Sequence, residues 1–421
     1  MSALISDPDV VIVGGGLAGL ACARHLHQNG FSFQIIEASD ALGGRVRTDH
    51  VGGFLLDRGF QVLQTAYPEA QKVLDYAKLD LHTFFPGAVI RIDNQFYRVA
   101  DPLRLPLVAF ESLFSPIGTM SDKFRLLTLR LRLHRQSIDT IFKNKERTTL
   151  DALHQKGFSP TIVSTFFRPF LRGVFLEKGL MTSSRMFEFT YKMFTDGHAA
   201  LPANGMGAIP NQLASALPAE SIRLNTKVVS VSPNSATLEY GEQLKARAVV
   251  VATEGPEACR LIPGLEPVLS CSTTCMYFVA DYNPLGSPIL ALNGDGSGII
   301  NNLCVPSSVA PSYAPAGSSL ISVSILGIPD EDDKELELTV RSQLKSWFGQ
   351  KVDSWRSFRT YRIHHALPSQ AFPALSQPQR PVKMQRGLYV CGDHRDTASI
   401  HGALVSGRRT AESILEDFAS D

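Results

Sequence analysis

The N-terminal part of the chain alternates between two hydrophobic patterns. A continuous apolar run in "DVVIV" is followed by glycines and then by apolar residues at helical spacing in "GGGLAGLACARHLHQNG". The helix is predicted to end at Asn29 and Gly30, which are typical residues of a helix C-terminus. A second apolar run, "FSFQIIEA", comes next. The pattern predicts a strand–helix–strand unit of a parallel sheet, and with it an α/β fold.

Further apolar segments lie much later in the chain. "SIRLNTKVVSVSP" and "SATLEY" predict two antiparallel strands, and "ARAVVVAT" predicts a buried strand. "GLYVCGD" predicts a last strand, and a helix follows it from about Gly402, with Leu404, Val405, Ile414 and Leu415 on one face.

Two long inserts separate these segments, which predicts two discontinuous domains. The first domain is predicted to comprise residues 1–80, 205–265 and 382–421. The second, an α+β domain, is predicted to comprise residues 81–204 and 266–381. The insert at 81–204 is rich in predicted helices and aromatic residues, and the insert at 266–381 mixes strands, loops and one helix.

The composition excludes some classes of partner. The chain has 421 residues, and its 41 basic and 40 acidic residues nearly cancel, so no nucleic-acid partner is expected. The six cysteines show no C-x-x-C spacing, which favours reduced thiols, although Cys271 and Cys275 in "CSTTC" leave a redox pair open. The short stretch before the first strand and the lack of a long apolar run indicate a cytoplasmic protein, soluble or peripheral to a membrane.

Gly14, Gly16 and Gly19 form a G-x-G-x-x-G motif directly after the first strand, and Glu37 ends the second strand. In a dinucleotide site the first glycine forms the turn, the second lets the backbone approach a pyrophosphate, and the third lets helix and strand pack closely. An acidic residue at the end of the next strand accepts hydrogen bonds from a ribose. The four residues together therefore predict a dinucleotide-binding domain.

A second glycine-rich turn, Gly43-Gly44-Arg45, follows Glu37 closely. It can be a surface turn, or it can offer close backbone approach and a fixed cation to phosphate oxygens. A second G-x-G-x-x-G motif is missing from the sequence, so a separate nicotinamide-binding domain is not expected.

Four segments together, "VIVGGGLAGL", "EASDALGGRVRT", "GFLLDRG" and "LYVCGD" with the later "GALVSG", resemble the flavin amine oxidase superfamily, and "LPANGMGAIPNQLA" resembles its P-x-G-G-M segment. The group includes monoamine and polyamine oxidases, protoporphyrinogen oxidase and phytoene desaturase-like enzymes. The resemblance implies an FAD-dependent oxidoreductase. Its fold would be a Rossmann-like FAD-binding domain of the GR2 type with an interleaved α+β substrate domain.

The resemblance also implies a role for each matching residue. Gly14, Gly16, Gly19 and Glu37, with the adjoining Leu17, Ala18 and Ala38, would hold the ADP half of FAD. Gly44 and Arg45 would lie along the pyrophosphate, Gly59 near the isoalloxazine ring, and Val229 beside the adenine. The remaining implied contacts are Gly392 and Asp393 with the ribitol or pyrophosphate, and Ile400, Gly402 and Ala403 with the pyrimidine edge of the flavin.

The sequence departs from the family pattern in three places. Residues 397–401 contain no cysteine, so the FAD is expected to be non-covalent. His401 stands where many amine oxidases have glutamate, and the lysine that many of them place near the flavin N5 has no clear match.

The stretch "CGDHRDTASIHGAL" can be interpreted as a Ser-His-Asp cluster or a metal site, but the fingerprint favours the end of a strand and the start of a helix, with no metal. Because side chains cannot carry hydride, the protein would supply position, dryness and at most a base. His401 is the first candidate for that base. His364 and His365, in "TYRIHHALPSQ", are predicted to point to opposite faces of a strand, so that at most one of them faces the cavity.

The aromatic residues of "FFRPFLRGVFLEKG" and "MFEFTYKMF" can form core or line a cavity for a large substrate. The expected substrate is lipophilic or aromatic, isoprenoid- or porphyrinogen-like, with oxygen or a quinone as electron acceptor. Amine oxidation and a redox-neutral isomerisation on reduced FAD stay open as alternatives. Residues 103–147, with a net charge of +5 over 121–147, predict a peripheral membrane contact.

Overall fold

The computed structural model describes residues 7–106 and 115–420. In chain order, the strands are β1 (Val10–Val13), β2 (Phe33–Ile36), β3 (Thr48–Val51), β4 (Phe54–Asp57), β5 (Leu63–Gln64), β6 (Leu81–Thr83), β7 (Gly87–Ile92), β8 (Gln95–Ala100), β9 (Ala199–Pro202), β10 (Ile222–Arg223), β11 (Val228–Ser232), β12 (Ser235–Leu238), β13 (Gln243–Lys245), β14 (Ala248–Val251), β15 (Ser270–Ala280), β16 (Leu290–Asn293), β17 (Ile300–Cys304), β18 (Ser319–Leu326), β19 (Arg356–Pro368), β20 (Lys383–Gln385) and β21 (Leu388–Val390).

The α-helices are α1 (Leu17–Gln28), α2 (Pro68–Val73), α3 (Tyr76–Leu79), α4 (Met120–Arg135), α5 (Ile138–Lys143), α6 (Thr149–Gln155), α7 (Pro160–Ile162), α8 (Arg168–Phe175), α9 (Ser184–Asp196), α10 (Ala208–Ala214), α11 (Gly255–Leu261), α12 (Pro306–Val309), α13 (Asp333–Phe348) and α14 (Ile400–Ala419). A π-helical turn, Val163–Phe167, joins α7 to α8.

A six-stranded sheet in the order β10-β2-β1-β14-β21-β20 contains the predicted strand–helix–strand unit. Its strands run parallel except for β20. Strands β1, β14 and β21 are fully buried, as expected for apolar runs with both faces of a parallel sheet covered. Helices α1 and α14 pack against each other so closely that a Cβ atom at Gly407 would lie 2.1 Å from the carbonyl oxygen of Ala18.

A seven-stranded sheet in the order β19-β15-β18-β17-β16-β7-β8 draws on both inserts. Strand β7 of the first insert pairs in parallel with β16 of the second. The hairpin of β7 and β8 departs from the expectation of a helix-rich first insert. Its turn residues, Asp93 and Asn94, both have positive φ, as a two-residue hairpin turn requires.

Asp57 connects several parts of the chain from a buried position. Its carboxylate accepts hydrogen bonds from Thr48 Oγ1 at 2.5 Å, from the Met206 amide at 2.9 Å and from Tyr313 Oη at 2.8 Å. Its carbonyl oxygen accepts one from Tyr277 Oη at 2.9 Å. Burial raises the pKa of Asp57 to about 6. The network holds the end of β4 against Thr48 of the neighbouring β3 and against three segments that are distant in the sequence.

All six cysteines carry free thiols. Cys271 and Cys275 both lie on β15, and Cys275 is buried. The strand assignment agrees with the sequence pattern and removes the structural basis for a redox pair.

Candidate active site

One cavity of about 1220 Å³ lies between the two large sheets and the helices of the first insert. One end is lined by the glycine-rich turn after β1, and the other end by side chains of α4, α8 and α9. The volume is above the range of roughly 300–1,000 Å³ that a single small ligand occupies, so the cavity has room for a dinucleotide and a substrate together.

Glu37 lies at the end of the cavity that the glycine motif forms. One oxygen of its carboxylate accepts a hydrogen bond from the Gly15 amide at 2.7 Å. The other oxygen accepts hydrogen bonds from the Ser39 amide at 2.8 Å and from Ser39 Oγ at 2.7 Å. These contacts fix the carboxylate where a ribose hydroxyl can reach it, and Ala38 lines the cavity beside it.

Gly16 and Gly19 have different surroundings. A Cβ atom at Gly16 would have no protein atom within 4 Å, and Gly16 lines the cavity with Gly14, Leu17 and Ala18. A Cβ atom at Gly19 would lie 2.1 Å from the carbonyl oxygen of Gly14. Gly16 therefore leaves space for a ligand, whereas Gly19 allows the helix to pack against the turn.

Arg45 and Asp393 form an ion pair at the wall of the cavity. Arg45 Nη2 donates to Asp393 Oδ1 at 2.6 Å, and Arg45 Nη1 donates to the carbonyl oxygen of Ala366 at 3.0 Å. The Asp393 side chain is 6% exposed, so the arginine neutralises a buried carboxylate. The pair joins the turn after β2 to the residues that follow β21.

The middle of the cavity is formed by the loop after β4, the end of β19 and the start of α14. Gly59, with φ of +91°, faces Ile363, and a Cβ atom there would lie 2.7 Å from Ile363 Cδ1. Ile400 and Ala403 line the cavity at the first turn of α14, with Gly44 and Gly392 nearby in the lining. Ser399 caps this helix by accepting a hydrogen bond from the Gly402 amide at 3.0 Å.

The end of the cavity opposite the glycine motif is largely apolar. Its lining includes Phe166, Phe170, Val174, Met186, Phe194 and Leu292. Other aromatic residues of the same helices, Phe167, Phe187 and Phe189, are completely buried. The sequence left two roles open for these aromatic segments, and both occur: some rings form the core and others line the cavity.

Two comparisons with known proteins match this chain over nearly its whole length. The family model of flavin containing amine oxidoreductases matches residues 17–415. Protoporphyrinogen oxidase 2 of Arabidopsis thaliana is 21% identical over 99% of this chain and 96% of its own length. The chain belongs to the flavin-containing amine oxidoreductase family.

Solved structures with similar folds include members with different reactions. An oxidoreductase from Methanosarcina mazei has a TM-score of 0.75 and 16% identity, covering 97% of this chain and 99% of its own. Reduced UDP-galactopyranose mutase has a TM-score of 0.70 and 15% identity, covering 97% of this chain and 96% of its own. These likenesses establish the fold, an α/β FAD-dependent oxidoreductase fold, and leave the substrate open.

The residues present fit the FAD of a flavin-containing amine oxidoreductase. The space at Gly16, the fixed carboxylate of Glu37 and the Arg45–Asp393 pair lie along one cavity. In this arrangement Glu37 would hold the ribose, and the backbone at Gly16 would approach the pyrophosphate. Asp393, in the turn after β21, would meet the linker between pyrophosphate and ring.

Three of the predicted cofactor contacts, Gly19, Val229 and Gly402, do not line the cavity. Val228, rather than Val229, lines it, because the pairing of β11 with β12 shifts register between Val228 and Ser230. The carbonyl oxygen of Val229 instead accepts a hydrogen bond from Arg260 Nη1 at 3.0 Å. Gly402 faces the turn before α14, where a Cβ atom would lie 1.9 Å from the carbonyl oxygen of Thr397.

His401 does not line the cavity in this member of the family. Its ring stacks on Tyr67 with centroids 5.7 Å apart, and it packs against Phe189 at 5.6 Å. Its Nδ1 atom accepts a hydrogen bond from the Glu69 amide at 3.4 Å. Burial lowers the pKa of His401 to about 4, so the ring is neutral near pH 7. These contacts make His401 a packing residue outside the cavity lining.

The burial of His401 predicts a pH dependence of stability. Its folded-state pKa of about 4 lies below the unfolded value of 6.5, so the unfolded chain binds more protons between these values. The histidine therefore lowers the free energy of unfolding as the pH falls through this window. We compare the free energy of unfolding of His401→Phe with that of wild type at two pH values. When the pH is lowered from about 7.5 to about 5, we expect this difference to shift in favour of the variant by about 1–2 kcal/mol. Chemical denaturation at the two pH values measures this difference.

The matched control for that experiment is His365→Phe, because His365 is exposed. We expect this variant to follow the wild-type pH dependence. Glu69, Lys72 and Arg408 are the charged groups near His401, and they are unchanged in both variants. An equal response of the two variants would contradict the burial argument.

His364 and His365 are both exposed, and neither lines the cavity. The expected alternation fails because β19 bulges at this point: Ile363 pairs with Thr273 of β15, but the next paired residue, Leu367, meets Cys271. Ile363, Ala366 and Leu367 line the cavity instead. The strand therefore returns to the cavity as expected, with apolar rather than histidine side chains.

The remaining polar residues of "CGDHRDTASIHGAL" do not form a Ser-His-Asp cluster. The His394 ring nitrogens are buried and have no hydrogen-bond partner among the described residues. Asp396 accepts a hydrogen bond from the Thr397 amide at 2.8 Å, and burial raises its pKa to about 6. Across residues 7–106 and 115–420 we find no group of histidine, cysteine and acidic residues that could hold a metal ion.

Several polar residues of the cavity were not expected from the sequence. Asp101, Arg104, Arg130, His198 and Gln64 all line it. Asp101 is paired with both Arg104 and Arg130. Gln64 lies in β5 and the other four lie in the first insert, where the sequence singled out Arg104 and Arg130 only as part of the predicted membrane contact. Their place in the cavity follows from the tertiary structure.

Proposed function

We propose that the chain uses FAD to dehydrogenate an apolar or aromatic substrate of isoprenoid- or porphyrinogen-like size. FAD supplies the hydride acceptor at its N5 atom. The observation that carries the proposal is the apolar wall of Phe166, Phe170, Val174, Met186 and Phe194 in a cavity of about 1220 Å³. The name of the relative from Arabidopsis thaliana, a protoporphyrinogen oxidase, supports a large cyclic substrate.

In this proposal the protein acts by orientation and by exclusion of water. His401, His364 and His365 do not line the cavity, so none of them is proposed as a base. The side chains of Ile363, Leu367 and Ile400 surround the middle of the cavity and exclude water from it. The substrate would be held against this region by the apolar wall opposite.

Two alternatives concern the same site. The family name supports oxidation of a C–N bond in an amine. The similar fold of UDP-galactopyranose mutase supports a redox-neutral isomerisation on reduced FAD. A carbon–carbon dehydrogenation is preferred here because the described lining of the end opposite the glycine motif is dominated by apolar side chains.

The test is anaerobic incubation of the purified flavoprotein with porphyrinogens, carotenoid precursors, quinols and amines. We expect loss of the flavin absorbance at about 450 nm with a porphyrinogen or a carotenoid precursor. Bleaching by amines alone would replace the proposal with amine oxidation. Turnover that requires prior reduction and consumes no electrons would replace it with isomerisation. A colourless protein would contradict FAD binding itself.

The electron acceptor is proposed to be oxygen or a quinone. After anaerobic bleaching, the flavin colour is expected to return on addition of air or of a soluble quinone. The faster of the two rates, measured by stopped-flow absorbance, identifies the preferred acceptor. If neither restores the colour, another protein must accept the electrons.

We also propose a peripheral membrane contact through which a lipophilic substrate enters. Helix α4 lines the cavity with Leu126 and Leu127 and exposes Met120 and Phe124. The exposed Arg135 lies in its last turn. Residues 107–114 of the predicted contact lie outside the described residues. Within the part of the chain that the structure describes, no helix combines the length and apolar character needed to span a bilayer.

Flotation with vesicles that contain anionic lipid tests this contact. We expect wild-type protein to float, and the double variant Met120→Ser, Phe124→Ser to lose most of its binding, because apolar side chains insert beside the headgroups. Leu338→Ser is the matched control, since Leu338 is exposed on the distant helix α13. Unchanged flotation of the double variant would exclude α4 as the contact.

A further inference from the structure

Three neutral polar side chains of the seven-stranded sheet line the cavity. They are Thr273 of β15, Asn302 of β17 and Ser324 of β18. Strand β18 lies between the other two strands, and Asn302 pairs with Ser324. The other residues that this sheet contributes to the lining are apolar, among them Leu326 and Ile363. The sheet therefore presents a small polar group to a ligand within an apolar surface.

The hydrogen bonds of Asn301 and Asn302 fix the orientation of both side-chain amides. Asn301 Nδ2 donates to the carbonyl oxygen of Pro169 at 3.1 Å and to Asn302 Oδ1 at 2.9 Å. A carbonyl oxygen can only accept, so the Asn301 atom that faces it must be the nitrogen. The Asn302 atom that meets this nitrogen must then be the oxygen. The Asn302 nitrogen is therefore the atom that lies 3.2 Å from Ser324 Oγ.

The direction of these bonds determines what Ser324 offers to a ligand. An amide nitrogen cannot accept, so Asn302 Nδ2 donates and Ser324 Oγ accepts. The proton of the Ser324 hydroxyl must point elsewhere, and among the described residues it has no acceptor. The backbone of β18 is paired on both sides, so the 8% of Ser324 that is exposed belongs to its side chain. The hydroxyl proton is therefore available on the cavity side of the sheet.

Thr273 provides a contrast on the neighbouring strand. The residue is 9% exposed and lines the cavity, as Ser324 does. However, Thr273 Oγ1 donates to the carbonyl oxygen of Ile325 at 2.9 Å, so its proton is used within the sheet. Of these two hydroxyl groups, only that of Ser324 retains a proton for a ligand.

The polar group carries no charge. Its hydrogen bonds link only side-chain amides, hydroxyl groups and backbone carbonyl oxygens. A carboxylate bound to Ser324 would be buried without a cation among these contacts, which is costly. A neutral carbonyl oxygen, such as that of a ketone or a quinone, accepts a hydrogen bond without this cost. Leu326 and Ile363 suit the hydrocarbon part of the same ligand.

We propose that Ser324 is a specificity residue, whose hydroxyl donates a hydrogen bond to a neutral carbonyl oxygen of the ligand. Asn302 is its positioning residue, because the amide keeps the hydroxyl proton directed away from itself. The site then favours apolar or aromatic substrates that carry a carbonyl group. The inference deepens the function proposed above and rests on the same cavity, but it concerns recognition rather than electron transfer.

The first experiment measures ligand preference in the holoenzyme by titration calorimetry. 2-Acetonaphthone and 2-isopropenylnaphthalene are matched probes, because a C=O group in one replaces a C=CH₂ group in the other. We expect wild type to bind the ketone about tenfold more tightly, and Ser324→Ala to bind the two equally. Equal affinities in wild type, a preference that survives Ser324→Ala, or no binding of either probe would overturn the proposal. Tighter binding of 2-naphthoate than of the ketone by wild type would also overturn it.

Thr273→Val is the matched control for this experiment. It removes a hydroxyl group from the same cavity surface, but the proton of that hydroxyl already has an acceptor. We expect Thr273→Val to keep the wild-type preference for the ketone. A loss of preference as large as that in Ser324→Ala would mean that the polarity of the surface, rather than the Ser324 proton, selects the ligand.

The second experiment observes the hydrogen bond directly. A hydrogen bond weakens a C=O bond, so the infrared stretching frequency of bound 2-acetonaphthone is expected to be lower in wild type than in Ser324→Ala. A variant that only loosened the packing would weaken the binding of both probes and leave this frequency difference absent. Equal frequencies in wild type and Ser324→Ala would overturn the proposal.

Failure of this inference can be distinguished from failure of the proposed function. If apolar substrates bleach the flavin but the ketone preference is absent, the proposed function stands and the role of Ser324 is wrong. If the preference depends on Ser324 but no apolar substrate bleaches the flavin, the recognition role stands and the proposed reaction is wrong.

Discussion

Gly16→Ala is expected to fold normally but to lose about 100-fold in FAD affinity, which corresponds to about 2.7 kcal/mol. A Cβ atom at Gly16 meets no protein atom within 4 Å, so the substitution creates no clash within the chain. The methyl group instead enters the cavity where the backbone must approach a pyrophosphate. Absorbance at about 450 nm during FAD titration of the apoprotein measures the loss.

Gly255→Ala is the matched control for this prediction. Its Cβ atom would meet His394 at an ordinary distance of 3.8 Å, and the residue begins helix α11 outside the cavity lining. We expect it to bind FAD as wild type does. If both alanine variants retain full affinity, the dinucleotide does not lie against Gly16.

Arg45→Met is expected to cost about 2–3 kcal/mol of the free energy of unfolding, because it leaves the buried carboxylate of Asp393 without its cation. The estimate is below that for a fully buried pair because 32% of the Arg45 side chain is exposed. Asp393→Asn in the same background is expected to recover part of the loss. The double-mutant cycle, measured by chemical denaturation, is expected to give a coupling of about 1–3 kcal/mol.

The control for this pair lies two residues away. Arg47 pairs with Asp40 at 2.9 Å, but the Asp40 side chain is 73% exposed. We expect Asp40→Asn to leave the free energy of unfolding unchanged, since solvent screens an exposed pair. A coupling near zero between Arg45 and Asp393 would mean that water reaches their contact as freely as it reaches Asp40.

The parts of the site that the sequence predicted are formed by residues that lie close together in the sequence. The glycine spacing, the strand before it and the acidic residue after it lie within one short segment. Gly14, Gly16 and Glu37 do line one cavity, and Gly19 packs helix against turn. The roles implied for them toward FAD stay predictions until binding is measured. The domain boundaries likewise stay a prediction.

Val229, His364 and His365 do not line the cavity, and the physical reason is the same for all three. Val229 and the two histidines of β19 lie at register shifts, where one or two extra residues change which side chains face a cavity. Periodicity alone cannot locate such a shift. In contrast, the missed hairpin of β7 and β8 carried a readable signal, because Asp93-Asn94 between two alternating segments is typical of a tight turn.

Gln64 and His401 show a second limit of prediction from sequence patterns. Whether a polar side chain is paired depends on neighbours that are distant in the sequence. Burial lowers the pKa of His401, and its ring packs against Tyr67 and Phe189, which lie in separate segments of the chain. No local pattern distinguishes Gln64, whose amide has no partner among the described residues, from Gln370, whose amide bonds to Asp396 and Ala398.

The order of strands in the six-stranded sheet constrains how the protein can be synthesised. Strand β14 is completely buried and pairs on one side with β1 and on the other with β21, whose residues are made more than a hundred positions later. While the ribosome translates that interval, the apolar edge of β14 has no partner. Such an edge is open to pairing with other chains. The six-stranded sheet therefore cannot be completed before Leu388–Val390 have been synthesised.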